Sequence, residues 1–286
     1  MYSYDSIAQL VELATVHQVT ISEIALRHEM ELSGEAAASL LQVMAGRLAV
    51  MREAAERGLL QQEKTAGGMV GGDAAKLARA LGILLGNTAH HGMKIALAVA
   101  EQNAGMGQIV AAPTAGSCGV LPGVLLSLGE KLHVDTGVLV KALFTAGAIG
   151  AVIDAKATLS GAEGGCQAEC GSAGAMAAAA AVEITGGTPR QAAQAAALAL
   201  KNLLGLTCDP VGGLVQVPCV RRNAFVTVHA LAAAELALAG VESFIPADEV
   251  IEAMGEIGRM IPRELRETSL GGLAVTTAAK NYRCNQ

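Results

Sequence analysis

The sequence predicts an all-α fold, a single helical domain whose Gly-rich loops converge on one site. Three observations carry that prediction. Apolar residues recur at helical spacing almost everywhere along the 286 residues, and no convincing alternating run of β-branched residues competes. The apolar content is made of small side chains: aromatics are 2% and Trp is absent, so Ala, Leu, Val, Ile and Met must build a core in which helices approach closely. The 34 glycines, above the usual share of about 7%, gather in loops. Those loops run from Thr65 to Gly72, Pro113 to Pro122, Ser160 to Gly174 and Thr207 to Arg222. Each glycine costs about 0.5–1 kcal/mol of backbone entropy relative to Ala, so such density points to close approach of backbone to a bound ligand.

The elements follow in order. Ile7, Leu10, Val11 and Ala14 form one face of a first helix. Thr20-Ile21-Ser22-Glu23 reads as a capping box opening a second. Ser33 caps a third, running towards Leu60 through Leu40, Leu41, Met44, Leu48 and Met51. Asp73 opens a short helix to about Leu85, Thr88 another to about Asn103, and a further helix begins near Val120 to Pro122. Cys170 starts a helix with a small-residue face. Thr188-Pro189-Arg190-Gln191 places an N-cap, a proline at the first helical position and Gln at the third, opening a helix to about Leu204. Asn223 caps a helix through Val226, His229, Ala233 and Leu236, and Pro246-Ala247-Asp248-Glu249 starts one more that ends before Pro262. With no internal repeat and no low-complexity linker, the chain reads as one domain: a helical part over 1–60, and a part over 61–286 that carries the loops and binds cofactor and substrate.

Composition narrows the partners. The formal net charge of −6 is scattered, with no basic run or face, which argues against nucleic acid. Mean hydropathy is high at +0.44. The most apolar stretch, Val138 to Ile153, carries Lys141 and spans 16 residues, short of the ~20 a membrane helix needs, so no membrane span is expected. Met1-Tyr2-Ser3-Tyr4-Asp5 has no basic segment followed by an apolar one, so a cytoplasmic location is expected. Six cysteines in that compartment stay reduced, which favours ligation of a metal or cluster over disulfides.

Cys166, Cys208 and Cys219 each sit beside glycine or proline, where the backbone turns and a thiolate can be aimed at a shared point. Their separations of 42 and 11 residues match neither a zinc ribbon nor a ferredoxin. Three soft ligands with no comparable fourth is the layout of a metal that does chemistry. Both zinc and an iron-sulfur cluster are soft enough. A catalytic zinc site usually includes His, and none lies in a ligand loop; His229 stands ten residues beyond Cys219 in an amphipathic helix. A cubane held by three cysteines leaves one iron open to act as a Lewis acid. Cys118 and Cys170 read as buried structural thiols. The loop Pro113-Thr114-Ala115-Gly116-Ser117-Cys118-Gly119 precedes a helix, so its N–H groups and the hydroxyls of Thr114 and Ser117 either converge on an anion or make an ordinary N-cap turn.

The segments Ala112 to Pro122 (APTAGSCGVLP), Gly161 to Glu169 (GAEGGCQAE) and Thr207 to Cys219 (TCDPVGGLVQVPC) together resemble the iron-sulfur-dependent L-serine dehydratases, and in particular the α chain of their two-chain form. The resemblance covers the chain from about Lys64 onward. It implies deamination of L-serine to pyruvate and ammonia, with a 4Fe-4S cluster held by Cys166, Cys208 and Cys219 and acting on the substrate hydroxyl. Thr114, Gly116 and Ser117 then become substrate-binding candidates, with Lys64 a weaker one. The Ser-Ser-His-Thr motif of single-chain members is absent. That departure implies a separate β chain, a hetero-oligomer, and a catalytic histidine contributed in trans. Within this chain the candidates for the α-proton base are the paired His90 and His91, against the plainer reading of a solvated helix start. Some members insert a C-terminal cysteine at the open iron; Cys284 stands where such a tail ligand would, although a tail cysteine is also commonly an exposed thiol. A zinc-dependent hydrolase and a cluster-based sensor are the rival readings.

Overall fold

The computed structural model describes residues 2–82 and 84–284, with the side chains at 283 and 284 outside the described set. Its helices are α1 (Ile7–Val16), α2 (Ile21–Ser33), α3 (Ala37–Leu60), α4 (Asp73–Arg79), α5 (Asn87–Ala104), α6 (Val120–Leu132), α7 (Thr136–Lys156), α8 (Gly161–Gly164), α9 (Ser172–Ile184), α10 (Pro189–Lys201), α11 (Cys219–Leu238), α12 (Ala247–Met260) and α13 (Thr277–Cys284). Among the described residues the one β pairing is an isolated parallel bridge between Cys208 and Arg266, so the fold is all-α.

Alanine decides the centre. Every residue of α9 except Glu183 is buried, and α6, α7, α10 and α11 pack around it. A helix surrounded on all sides needs short side chains if its neighbours are to reach helix-packing distance. Around this axis α5 lies against α3, α6 and α11. Glycine permits the closest crossings: a Cβ on Gly58 of α3 would sit 2.2 Å from the Ala98 carbonyl oxygen, and one on Gly119 would sit 2.3 Å from that of Ala96. α5 and α11 run in opposite directions, since Leu97, Ala98 and Ala100 cluster with Val220 and Ala224 while Gly92 lies against Thr227.

Caps explain most boundaries. Thr188 and Gln191 complete a reciprocal capping box on α10. Thr20 accepts from the Glu23 N–H, but Glu23 turns to Arg27 at 2.8 Å, so only half of that box forms. Ser33 closes α2 and does not open α3: its hydroxyl donates to the Glu29 carbonyl, and Gly34 follows at φ 72°. The helix expected from Asp73 to Leu85 stops at Arg79. Beyond it Leu81 and Leu84 are exposed, so the next turns had no apolar face to bury. α11 starts four residues before Asn223, which is an internal residue with structural bonds instead of a cap.

α7 spans 21 residues, longer than the apolar stretch suggested, and has the length and composition of a membrane helix. Two-thirds of its most apolar window (67%) is buried against the rest of the protein, which accounts for that hydropathy.

Candidate thiol centre

Three local devices fix Cys166, Cys208 and Cys219 near enough for the charges of Cys166 and Cys219 to act on Cys208. Gly165 adopts φ 76°, a left-handed turn that sets Cys166 at the head of a π-helical turn over Gln167–Gly171. Buried Gln167 holds that turn: its N–H donates to the Leu206 carbonyl, its amide nitrogen to that of Met254, and its amide oxygen accepts from Gly205. Cys208 is clamped in the isolated bridge, its N–H donating to the Leu265 carbonyl and its own carbonyl accepting from Glu267. Cys219 is the first residue of α11, immediately after Pro218.

All three thiols are buried, at 2%, 2% and 7% exposure. Burial raises the proton affinity of Cys208, and the charges of Cys166, Glu169, Glu267 and Cys219 add to it. Burial and Cys166 push Cys219 up to about 12. Cys166 alone moves the other way, held down by a hydrogen bond from the buried Cys170 thiol and by the Arg222 guanidinium. Cys166 opposes the ionisation of both Cys208 and Cys219, and buried thiols so placed suit a cation beside them.

Arg222 and Asn223, one turn into α11, organise this centre. The positive charge of Arg222 acts on Cys166, and its guanidinium donates to the Thr207 carbonyl at 2.9 Å and pairs with Asp209 at 3.2 Å. Asp209 also accepts from the Leu273 N–H. Asn223 donates to the carbonyls of Gly116 and Cys219 and accepts from the Gly119 N–H at 2.8 Å, so it joins the Pro113–Pro122 loop to the start of α11.

Glu169 was not among the sequence candidates, although it lies in one of the three diagnostic segments. Its Oε1 accepts from the Thr114 hydroxyl at 2.8 Å, and the Cys208 thiol donates to its Oε2 at 3.8 Å. Burial raises its proton affinity, with the Thr114 bond opposing. One donor atom each from Glu169, Cys208 and Glu267 all lie within 4.8 Å of one another.

The remaining candidates fall as follows. Thr114 and buried Ser117 face each other at 3.1 Å, and Gly116 stands against Glu169, so the anion beside this loop is the chain's own carboxylate. Lys64 is exposed just before the Thr65–Gly72 loop, outside these contacts. His90 and His91 are not brought to the thiols. They precede Gly92, which lies against Thr227, eight residues and about 12 Å along α11 from Cys219. His91 pairs with Glu130 of α6 instead, at 2.7 Å. His229 is occupied by the Ala199 carbonyl at 2.8 Å. Cys118 is buried between α3 and α5, where burial pushes its thiol up to about 12. The Cys284 side chain lies outside the described residues; its helix, α13, docks on the Thr65–Gly72 loop through the Tyr282 hydroxyl, which donates to the Gly67 carbonyl.

Fold and site together define an all-helical protein with a buried three-thiol centre at the N-terminal end of α11. The chain belongs to the serine dehydratase alpha chain family, whose model matches residues 16–274. It is 47% identical over 280 residues to the probable L-serine dehydratase alpha chain of Bacillus subtilis (strain 168), covering 97% of this chain and 93% of that one. Against the L-serine dehydratase alpha chain of Peptoniphilus asaccharolyticus identity is 42%, covering 96% and 95%. L-serine dehydratase TdcG of Escherichia coli (strain K12) is 37% identical over 96% of this chain, which spans 62% of that protein. The likeness therefore reaches into the N-terminal helices, beyond the part from Lys64 that the motifs marked.

Proposed function

We propose that this chain is the α subunit of an L-serine ammonia-lyase that converts L-serine to pyruvate and ammonia. Cys166, Cys208 and Cys219 would hold a 4Fe-4S cluster, and the part over 61–286 carries these ligands and the substrate groups. The observation that carries the reading is the set of three buried thiols, two of them opposed by the charge of Cys166, beside one arginine. When bound, the cluster supplies a Lewis-acidic iron that makes the substrate β-hydroxyl a better leaving group. The residues of this chain do the rest of the positioning. Arg222 supplies a positive charge against the anionic thiolate set, and Asp209 and the Thr207 carbonyl fix its orientation. The loop from Thr114 to Ser117 forms the substrate wall, held to α11 by Asn223. Loss of the α-proton and of the hydroxyl, as water, gives aminoacrylate. Its imine tautomer takes up water to release ammonia and pyruvate.

The α-proton is taken by a base from a separate β chain. Two observations support this: His90 and His91 lie at the far end of α5 from the thiols, and the relatives matched over nearly their whole length are named alpha chains. A zinc hydrolase is less well supported, because His229, the histidine nearest Cys219 in sequence, is already bonded to backbone.

The test is anaerobic purification with and without a β chain, followed by visible absorption, iron and sulfide content, and pyruvate release from L-serine. A brown protein that makes pyruvate only with the second chain, and loses colour and activity in air, is expected. A colourless protein with stoichiometric zinc would overturn the cluster, and a brown protein inert towards L-serine with every β chain would overturn the activity.

A further inference from the structure

Glu169 is a carboxylate of the centre that its structural bonds account for only in part. Asp209 spends both oxygens on Arg222 and the Leu273 N–H. Glu169 uses Oε1 on Thr114, while its Oε2 meets only a thiol, at 3.8 Å, on a residue that the proposed cluster would deprotonate and claim. The chain makes room for this carboxylate with two glycines from different loops. A Cβ on Gly161 would stand 2.6 Å from Oε2, and one on Gly116 would stand 3.0 Å from Oε1. Glu267 is turned towards the same point by a left-handed backbone at φ 63°, its N–H fixed on the Cys208 carbonyl. Two carboxylates facing each other next to a thiolate repel an anionic group and attract a cationic one.

This inference rests on the L-serine reading above. L-serine carries its cation one carbon away from the hydroxyl that must meet the cluster. A group that binds that cation beside Cys208 fixes which substrate atoms point at the metal.

We propose that Glu169, through Oε2 and with Glu267 opposite, binds the α-ammonium of L-serine and so selects a 2-amino-3-hydroxy acid over hydroxy acids without the amine. Thr114 is then a positioning residue, since its hydroxyl holds the carboxylate from the other side. Glu169 touches substrate without exchanging a proton with it, and the effect is one of binding and orientation.

The experiment uses the complete enzyme, cluster loaded and with its β chain. It compares turnover of L-serine with competitive inhibition by 3-hydroxypropanoate, which keeps the carboxylate and the β-hydroxyl and lacks the ammonium. Glu169→Gln preserves the shape and an acceptor for Thr114. The expected result is a fall in kcat/KM for L-serine of about 10- to 100-fold, mostly through KM, the range for losing a hydrogen bond to a charged group. Inhibition by 3-hydroxypropanoate and the visible absorption should stay within twofold of wild type. Equal weakening of both ligands would assign Glu169 to holding Cys208 and the loop, and would overturn the proposal, as would no change in either. If Glu169→Gln does not take up the cluster, Glu267→Gln carries the test: a selective rise in KM for L-serine supports the ammonium site, and an equal or absent shift overturns it. A wild-type enzyme that turns over only with an added divalent metal would put that ion between the carboxylates and overturn the proposal too. Failure of the underlying reading shows separately, as a wild-type enzyme that makes no pyruvate.

Discussion

The antiparallel pair α5 and α11 has two chemically opposite ends. At one, α11 begins with Cys219, and Arg222 and Asn223 reach from its first turn to two loops. At the other, the first turns of α5 carry His90 and His91 beside Lys94, Glu130, Lys131 and His133, around an open cavity of roughly 460 Å³. The thiol end is buried and built from irregular backbone: a π turn, a left-handed glycine and an isolated bridge. The histidine end is regular helix, and its ion pair to Glu130, a side chain 72% exposed, is of the surface kind that contributes little. Titratable groups crowd both ends, yet only one surrounds them with fixed, desolvated partners. That difference marks the thiol end as the candidate reaction centre.

The comparison can be broken most directly at the thiols. Cys208→Ser should remove the brown absorption and lower pyruvate release by about a thousandfold or more, whereas Cys118→Ser should keep both, as anaerobic spectra and assays will show. Gly161→Ala comes next. Its Cβ would enter the space of Glu169 Oε2 and approach the Cys208 sulfur at 3.3 Å, so kcat/KM for L-serine should fall by up to about 100-fold, as for a misplacement near 1 Å. Gly119→Ala drives a Cβ against the Ala96 carbonyl where α5 meets the Pro113–Pro122 loop. A loss of about 1–3 kcal/mol, read from denaturant unfolding, is expected. Thr188→Ala removes the α10 capping box and should cost about 1 kcal/mol by the same measurement. His91→Ala sharpens the contrast by doing least: L-serine turnover should change by less than about twofold, in keeping with an exposed pair. A large loss there would restore a catalytic role to the histidine end.

Much of this molecule was legible before folding. Helical spacing predicted an all-α chain, and Thr188 with Gln191 located the start of α10 because a capping box is satisfied within four neighbouring residues. Ser33 and Asn223 were misread for a shared reason. A short polar side chain can cap a helix, close one, or bridge to a distant loop, and the neighbours that decide lie outside the local window. Cys166, Cys208 and Cys219 stood out through their glycine and proline neighbours, but Glu169 did not. A glutamate in a polar stretch has no local mark, and its meaning comes from Thr114 and Cys208, 55 and 39 residues away.

The amino-acid order by itself determined the helical class and the small-residue core and singled out three cysteines as candidate soft ligands, because periodicity, side-chain volume and ligand chemistry are properties of single residues and near neighbours. Only the tertiary structure decided that Cys166 opposes the ionisation of Cys208 and Cys219, that Arg222 and Glu169 stand beside them, and that the paired histidines lie elsewhere. Coulomb energy and desolvation depend on distance and burial, and neither exists until α5, α9 and α11 have packed.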